Sequence, residues 1–165
     1  MTEEQPIAVR AGAKERGRAE RVSEASRPAP YPWPVHETDL TALVGAWLPL
    51  PDAAERLGTD VGKVRRMLAD GTLVAVRLGE NRVLGVPERF LVQADGTWSV
   101  LASLAGTLTV LRDAGFGDDD AVAWLFTPDE SLRVLGTGAP TLRPVDALLA
   151  GHKTEIRRRA QALAL

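Results

Sequence analysis

Two glycines in the middle of the chain, Gly58 and Gly71, restrict its fold more than any other feature. Glycine adopts the left-handed backbone conformation that a sharp turn after a helix requires. The segment PDAAERLG, which ends at Gly58, predicts one short helix. VGKVRRMLAD, which ends before Gly71, predicts another, with Thr59 or Asp60 as its N-cap. The chain is therefore predicted to contain two short helices joined by a tight turn.

The segment after Gly71 has the pattern of a β-hairpin. Two runs rich in β-branched residues, LVAVRL and RVLGV, are separated by Gly79, Glu80 and Asn81, which favour a turn. Pro87 ends the hairpin and precedes a predicted helical turn around ERFL. The two runs are predicted to form a two-stranded wing.

The two predicted helices meet the requirements of a helix-turn-helix. Such a unit needs a small residue where the helices cross, a glycine in the turn, and an aliphatic residue in the second helix that closes the core. Ala54, Gly58 and Val64 supply these at the expected spacing, and Leu57 and Met67 fill flanking core positions. Because a wing follows directly, the pattern predicts a winged helix-turn-helix.

The segment TDLTALVGAW in front of this unit predicts another core-facing helix, for which Thr38 or Asp39 can supply the N-cap. Its apolar residues have the i, i+3, i+4, i+7 spacing of one helix face. They are Leu40, Leu43, Val44 and Trp47.

The remainder of the chain is predicted to be helical. LAGTLTVLRDAG places Leu104, Leu108 and Leu111 on one face, and DDDAVAWLF opens with acidic residues, which favour a helix N-terminus. After a Gly- and Pro-rich loop, Pro144 opens a helix with the sequence PVDALLA. KTEIRRRAQALAL forms the last helix, on which the cluster Arg157–Arg159 is expected to be an exposed basic face.

The predicted fold class is mainly α with a small β-wing, a winged helix-turn-helix packed with a C-terminal helical domain. Residues 1–37 mix six basic with six acidic side chains and contain the run RPAPYPWPV, a composition typical of a disordered N-terminal tail. Residues 38–94 are predicted to form the winged helix-turn-helix, and residues 95–165 the C-terminal α-helical domain.

The formal net charge of the chain is -2, which does not by itself indicate a nucleic-acid binder. The distribution of charge matters more than the sum, because phosphate contacts need a local basic face. Residues 52–92 hold seven basic against six acidic side chains, and residues 95–165 hold seven against nine. The middle segment can therefore bind DNA tightly only if its basic side chains share one surface.

A helical wheel of the second helix shows such a surface. Its apolar residues share one side, and Gly62, Lys63, Arg66 and Asp70 share the other, with Arg65 on a flank. Lysine and arginine bond guanine O6 and N7 in the major groove. Lys63 and Arg66 are therefore predicted to read bases, whereas Arg65 is predicted to contact phosphate.

Arginines also flank the tip of the predicted wing, where they are placed to reach a neighbouring phosphate backbone or minor groove. The complete predicted DNA-contacting set is Thr59, Lys63, Arg65, Arg66, Arg77 and Arg82. The alternative interpretation is a small helical fold on which these arginines are only a solvated face. Double-stranded DNA is the predicted partner, and a monomer or weak dimer is expected because no long heptad run is present.

The sequence offers no arrangement of residues for catalysis or metal binding. There is no cysteine, and His36 and His152 have no partners at metal-ligand spacing. GTGAP lacks the lysine that follows in a phosphate loop, and no nucleophile with a neighbouring base can be named. We therefore predict no enzyme activity, no cofactor and no metal. The lack of cysteine, of a signal peptide and of a long apolar run predicts a cytoplasmic location away from membranes.

Segment 47–92 resembles the winged helix-turn-helix of a small actinobacterial DNA-binding protein family known from mycobacteria. The resemblance continues through LTVLRDAGFGDDDAVAWLFTPDESL and RPVDALLAGHKTEIRRRAQAL, so that it covers residues 40–165. It implies sequence-nonspecific or weakly characterised DNA binding by the winged domain, a helical domain beside it, and a variable, flexible tail. The expected function is that of a transcriptional regulator or a nucleoid-associated factor.

The C-terminal part also resembles the toxin-binding module found at the C-terminus of some antitoxins. In that module a Trp-Leu-x-x-Pro segment packs with a Pro-x-Asp-x-Leu helix. The matching residues are Trp124, Leu125, Pro128, Pro144, Asp146 and Leu148. This chain departs from the module between these points, where LGTGAPTLR replaces a tighter glycine turn. The resemblance implies an alternative function, a protein–protein adaptor that acts through residues 95–165.

Overall fold

The computed structural model describes residues 37–132 and 143–164. The predicted disordered tail lies outside the described residues except for Glu37, and so does most of the predicted Gly- and Pro-rich loop. The described ranges form short helices and two small antiparallel sheets. This architecture agrees with the predicted class, mainly α with a small β-wing.

Short elements follow one another closely along the chain. The first six are helix α1 (Glu37–Val44), strand β1 (Trp47–Pro49), helix α2 (Leu50–Arg56), helix α3 (Val61–Ala69), and strands β2 (Val76–Leu78) and β3 (Val83–Pro87). A 3-10 turn (Glu88–Phe90) then leads to strands β4 (Leu91–Ala94) and β5 (Thr97–Val100). The last four are helices α4 (Leu104–Asp113), α5 (Asp118–Phe126), α6 (Pro144–Leu149) and α7 (Lys153–Ala162). None of these helices combines the length and the apolarity that crossing a membrane requires.

The predicted helix-turn-helix is present as α2 and α3, which pack against each other. Gly58 has a φ of 64° in the turn between them, and the backbone N–H of Thr59 donates to the carbonyl of Ala54 at 2.9 Å. Ala54 and Val64 are both buried, as the sequence pattern requires. The spacing of small, turn and aliphatic residues therefore predicted this unit correctly.

The wing contains one strand more than predicted, because Trp47 does not continue α1. The helix ends at Val44, and Trp47 begins strand β1, which pairs antiparallel with β3 opposite Pro87. The order of strands in this sheet is β1-β3-β2. The prediction that Trp47 belongs to the apolar face of α1 was wrong. Its i+7 spacing fits a longer helix, but the positive φ of Gly45 and the two prolines after Leu48 end the helix before it reaches Trp47.

Residues 91–100 form a second hairpin, which the predicted helical C-terminal domain did not include. Strands β4 and β5 pair in register from Leu91 opposite Val100 to Ala94 opposite Thr97. Asp95 and the glycine after it occupy the turn with positive φ angles, and an Asp-Gly pair between two runs of strand-forming residues is a typical signal for a hairpin. The predicted domain boundary between residues 94 and 95 falls in this turn.

Both halves of the chain contribute to one hydrophobic core. Phe90, in the 3-10 turn, and Phe126, at the end of α5, are fully buried, and their ring centroids are 5.6 Å apart. The predicted apolar face of α4 is buried as expected, and α1 packs against α5. On the surface, Arg89 forms an ion pair with Asp146 of α6. The winged unit is thus held against the C-terminal helices by apolar packing and by a polar contact.

Carboxylates and an arginine connect the segment after α5 to α7. The guanidinium of Arg159 lies 2.9 Å from Asp129 and 2.8 Å from Glu155. Burial raises the pKa of Asp129, but hydrogen bonds from Ser131 and the charge of Arg159 outweigh this and hold that pKa below its usual value. Hydrogen bonds from Arg158 and Arg159 also lower the pKa of Glu155.

Removal of the Phe90 ring tests whether the two halves share one core. We expect Phe90→Ala to lower the free energy of unfolding by about 3–5 kcal/mol, because a large buried side chain is replaced by a cavity. Urea unfolding followed by tryptophan fluorescence and by circular dichroism should give coincident midpoints, both displaced to lower urea. Two separated transitions in the wild-type chain would contradict a shared core.

Removal of the Asp129 charge tests the carboxylate–arginine contact. A carboxyl group whose pKa is lower in the folded than in the unfolded chain stabilises the fold at pH values above its unfolded pKa of about 3.9. This stabilisation disappears as the pH falls through the folded pKa. Asp129→Asn should therefore cost about 1 kcal/mol or less at pH 7, since the pair is partly exposed, and the cost should shrink as the pH falls below the unfolded pKa.

Urea titrations at pH 7, 4 and 3 measure this dependence. The matched control is Glu130→Gln, which removes an exposed neighbouring carboxylate that has no ion-pair partner among the described residues. A constant difference between Asp129→Asn and the wild type at all three pH values would show that the charge does not stabilise the fold.

Candidate nucleic-acid interface

Helix α3 begins at a side-chain cap. Asp60 precedes the helix with an extended backbone, and its carboxylate accepts a hydrogen bond from the backbone N–H of Lys63 at 2.8 Å. A Cβ on Gly62 would lie 2.9 Å from that carboxylate oxygen, so the glycine leaves room for the cap. Of the two caps that the sequence allowed, Asp60 is the one observed.

The two sides of α3 differ as the helical wheel predicted. Val64 is fully buried, and Val61, Met67 and Leu68 are half-buried against the core. Lys63, Arg65 and Arg66 are exposed, and so is Asp70 at the end of the helix. Three cationic side chains of α3 therefore project into solvent.

These three cations are not neutralised within the described part of the protein. The side chains of Lys63, Arg65 and Arg66 make no ion pair or hydrogen bond with any residue that the structure describes. Other arginines behave differently. Arg56 pairs with Glu88, and Arg112 lies 3.0 Å from Asp118. The positive charge of α3 is thus available to an anionic partner.

The wing carries two further exposed cations, at either end of its tip. Arg77 belongs to β2, and its guanidinium donates to the backbone carbonyl of Arg82 at 3.4 Å. Arg82 closes the turn with a φ of 52° and stands next to Val83, which is 52% exposed. Neither guanidinium pairs with a carboxylate of the described ranges. The last turn of α3 and the wing border the same cavity, so both cationic elements belong to one region of the surface.

Thr59, the remaining predicted contact, lies in the turn before α3 and is half-buried. The structure thus brings the predicted set onto two neighbouring elements, the helix with its preceding turn and the wing. Contact between these six residues and DNA stays a prediction.

The arginine cluster of α7 is not the exposed basic face that was expected. The guanidinium of Arg157 lies over α4, where a Cβ on Gly106 would come within 2.1 Å of its Nη2. Arg159 is held by carboxylates, and Arg158, although exposed, is paired with Glu155 at 2.9 Å. These side chains pack and pair within the protein. Glu155 lies on α7 itself, three and four residues before Arg158 and Arg159, whereas Asp129 and the α4 surface under Arg157 lie far away in sequence.

The acidic cluster at the start of α5 has a structural partner. Asp118 is paired with Arg112 of the preceding helix, and the cluster begins α5 where negative charge favours a helix N-terminus. Within residues 37–132 and 143–164, no three His, Cys, Asp or Glu side chains are grouped in a way that would hold a metal ion.

Comparison with known proteins identifies relatives for both halves of the chain. Residues 34–91 match the family described as the winged helix-turn-helix domain of the DNA-binding protein Rv2175c. Residues 101–164 match the family described as the Rv2175c C-terminal domain of unknown function. The chain is 44% identical over 119 residues to the DNA-binding protein Rv2175c of Mycobacterium tuberculosis. The aligned residues cover 70% of this chain and 78% of that protein.

The fold is similar to a solved structure as well. The NMR structure of Rv2175c superposes with a TM-score of 0.62 at 42% sequence identity, over 73% of this chain and 82% of that one. Together with the family matches, this similarity confirms the winged helix-turn-helix that the sequence predicted.

Substitution of Asp60 tests how α3 is held in place. Asp60→Ala should lower the free energy of unfolding by about 1 kcal/mol, because the first turn of α3 loses its capping oxygen. Asp60→Asn should recover most of that loss, since an asparagine side chain caps equally well. Urea unfolding of both variants measures the difference, and equal losses would show that Asp60 does not act as a cap.

Proposed function

The chain belongs to the Rv2175c family, and from that premise we propose that it binds double-stranded DNA through α3 and the wing. The N-terminal part of α3 enters the major groove, and the wing lies against the neighbouring backbone or minor groove. The observation that carries this proposal is the group of three exposed cations, Lys63, Arg65 and Arg66, which have no anionic partner among the described residues.

Each cation has a role that follows from its position. Lys63 lies in the first turn of the helix and Arg66 in its last turn, both on the side opposite Val64, where they can bond the O6 and N7 atoms of guanine. Arg65, on the flank, contacts phosphate. The hydroxyl of Thr59, in the turn before the helix, is suited to a phosphate contact of the same kind.

The wing arginines extend the contact along the duplex. Arg77 and Arg82 stand at opposite ends of the turn and reach phosphates or the minor groove beside the site of α3. Because one winged unit makes few contacts, we expect modest affinity. Because these contacts are made by cationic side chains, we expect the affinity to fall as the salt concentration rises. A cytoplasmic transcriptional regulator or nucleoid-associated factor, acting as a monomer or weak dimer and without enzyme activity, is the role that fits this mode of binding.

The alternative function, a protein–protein adaptor, has less support. Leu125, Pro144 and Leu148 match the toxin-binding module of antitoxins, but all three are buried in the core of this protein. Asp146, another matching residue, is engaged by Arg89. Residues that stabilise the protein itself are not free to contact a partner.

Substitution of the α3 cations tests the proposed function. We expect Lys63→Ala and Arg66→Ala each to weaken duplex binding by about 1–3 kcal/mol, because each removes a charged contact to the base edges. Fluorescence anisotropy with a labelled duplex at two salt concentrations gives both the affinity and its salt dependence.

The matched control is Lys153→Ala, which removes one exposed positive charge from α7. Binding to the duplex should be unchanged in this variant. If Lys63→Ala and Arg66→Ala bind DNA as tightly as Lys153→Ala does, α3 is not the element that enters the groove.

A further inference from the structure

The turn after α3 is the point at which the two proposed DNA-contacting elements join. Gly71 follows the helix with a φ of 73°, and its backbone N–H donates to the carbonyl of Leu68 at 3.2 Å. The N–H of Thr72 donates to the carbonyl of Met67 at 3.0 Å, so the hydrogen bonds of a C-terminal cap close the helix here. Strand β2 of the wing begins shortly afterwards, at Val76. The conformation of this turn therefore sets the direction in which the chain leaves α3 for the wing.

One side chain of the C-terminal half lies against this turn. Arg112 belongs to the last turn of α4, and its guanidinium approaches Gly71 so closely that a Cβ there would lie 2.5 Å from Nη1. The other terminal nitrogen, Nη2, lies 3.0 Å from the carboxylate of Asp118, the first residue of α5. The two ends of one guanidinium thus connect the end of α3 to the start of α5.

The charges in this contact alternate in the order that stabilises it. The C-terminal end of a helix carries a partial negative charge, and the N-terminal end carries a partial positive charge. Arg112 stands at the negative end of α3, and Asp118 stands at the positive end of α5. Because 33% of the arginine side chain and 51% of the aspartate side chain are accessible to solvent, the pair contributes little to the stability of the fold. Its place between α3 and α5 points to a different role.

We infer that Arg112 is a positioning residue for DNA binding, which it supports without touching DNA itself. Through the contact of its guanidinium with Gly71 and Asp118, α4 and α5 hold the turn, and the turn fixes the angle between α3 and the wing. A duplex can meet both elements at once only when this angle fits its groove and the neighbouring backbone. The inference rests on the proposed function and gives the C-terminal helices a part in it.

Substitution of Asp118 is a sharp test, because charge repulsion and positioning predict opposite signs. Asp118 borders the same cavity as the wing, so removal of its negative charge in Asp118→Asn should by repulsion alone strengthen the binding of DNA. If Asp118 holds Arg112 in place, the same variant should instead weaken duplex binding by about twofold to fivefold. Fluorescence anisotropy with a labelled duplex measures the change. Unchanged or tighter binding would overturn the inference.

The matched control is Asp113→Asn. It removes an exposed carboxylate next to Arg112 that has no ion-pair partner among the described residues. Duplex binding should not weaken in this variant, since the contact of Arg112 with α3 and α5 is kept. A loss as large as that of Asp118→Asn would show that the effect does not depend on the ion pair, and would also overturn the inference.

A double-mutant cycle separates positioning from a general loss of stability. Arg112→Gln should weaken duplex binding by roughly threefold to tenfold in the wild-type background. In a chain that also carries Arg77→Gln and Arg82→Gln, the wing makes no charged contact with DNA, so the same substitution should have a smaller effect. An equal effect in both backgrounds would overturn the inference. A shallower salt dependence of binding in Arg112→Gln would do the same, because it would show that Arg112 contacts phosphate directly.

Residual dipolar couplings of the free chain measure the angle between α3 and the wing without DNA. In the wild-type chain one alignment tensor should fit the amide couplings of both elements. In Arg112→Gln the couplings of the wing should require a different or smaller tensor than those of α3. If one tensor still fits both elements in the variant, Arg112 does not set the angle. Asp118→Asn supplies the second variant for this measurement if Arg112→Gln proves unstable.

The failure of this inference can be told apart from the failure of the proposed function. If the wild-type chain binds the duplex and Lys63→Ala weakens that binding, but Asp118→Asn does not, only the role of Arg112 fails. If the wild-type chain binds no duplex, the proposed function fails and the role of Arg112 in binding fails with it. The dipolar couplings then still decide whether Arg112 sets the angle.

Discussion

Burial of Val64 between α2 and α3 determines which side of α3 reaches solvent. A helix that rotates about its axis to expose this valine would lose about 1.5–3 kcal/mol of apolar burial and would bring charged side chains into the core. The rotation of α3 is therefore fixed, and with it the outward direction of Lys63 and Arg66. The cap from Asp60 fixes the point at which the helix begins. The proposed interface depends on these two local constraints more than on the net charge of the chain.

The C-terminal half packs against the winged unit and stabilises it. The rings of Phe90 and Phe126 pack together at the base of the unit, and the guanidinium of Arg112 reaches the end of α3. A Cβ on Gly71 would lie 2.5 Å from Nη1 of that guanidinium, so the turn after α3 is packed closely against α4. These contacts explain why the helical half and the winged half form one core, and they leave the basic side of α3 uncovered.

Local patterns predicted the local parts of the structure. The turn at Gly58, the two sides of α3, the wing hairpin and the buried face of α4 each depend on residues that are close in sequence, and each was found. The strand that begins at Trp47 was missed because its partner, β3, lies about 40 residues away. The roles of Arg157 and Arg159 and the cavity beside the wing were not predictable for the same reason, since their neighbours come from several distant elements.

An NMR titration of the full chain with a short duplex locates the DNA contact without altering any residue. If α3 and the wing bind the duplex, the backbone amide resonances of residues 60–66 and 77–83 shift as DNA is added, and those of residues 153–162 stay where they are. Shifts concentrated on α6 and α7, with the resonances of α3 unchanged, would contradict this mode of binding.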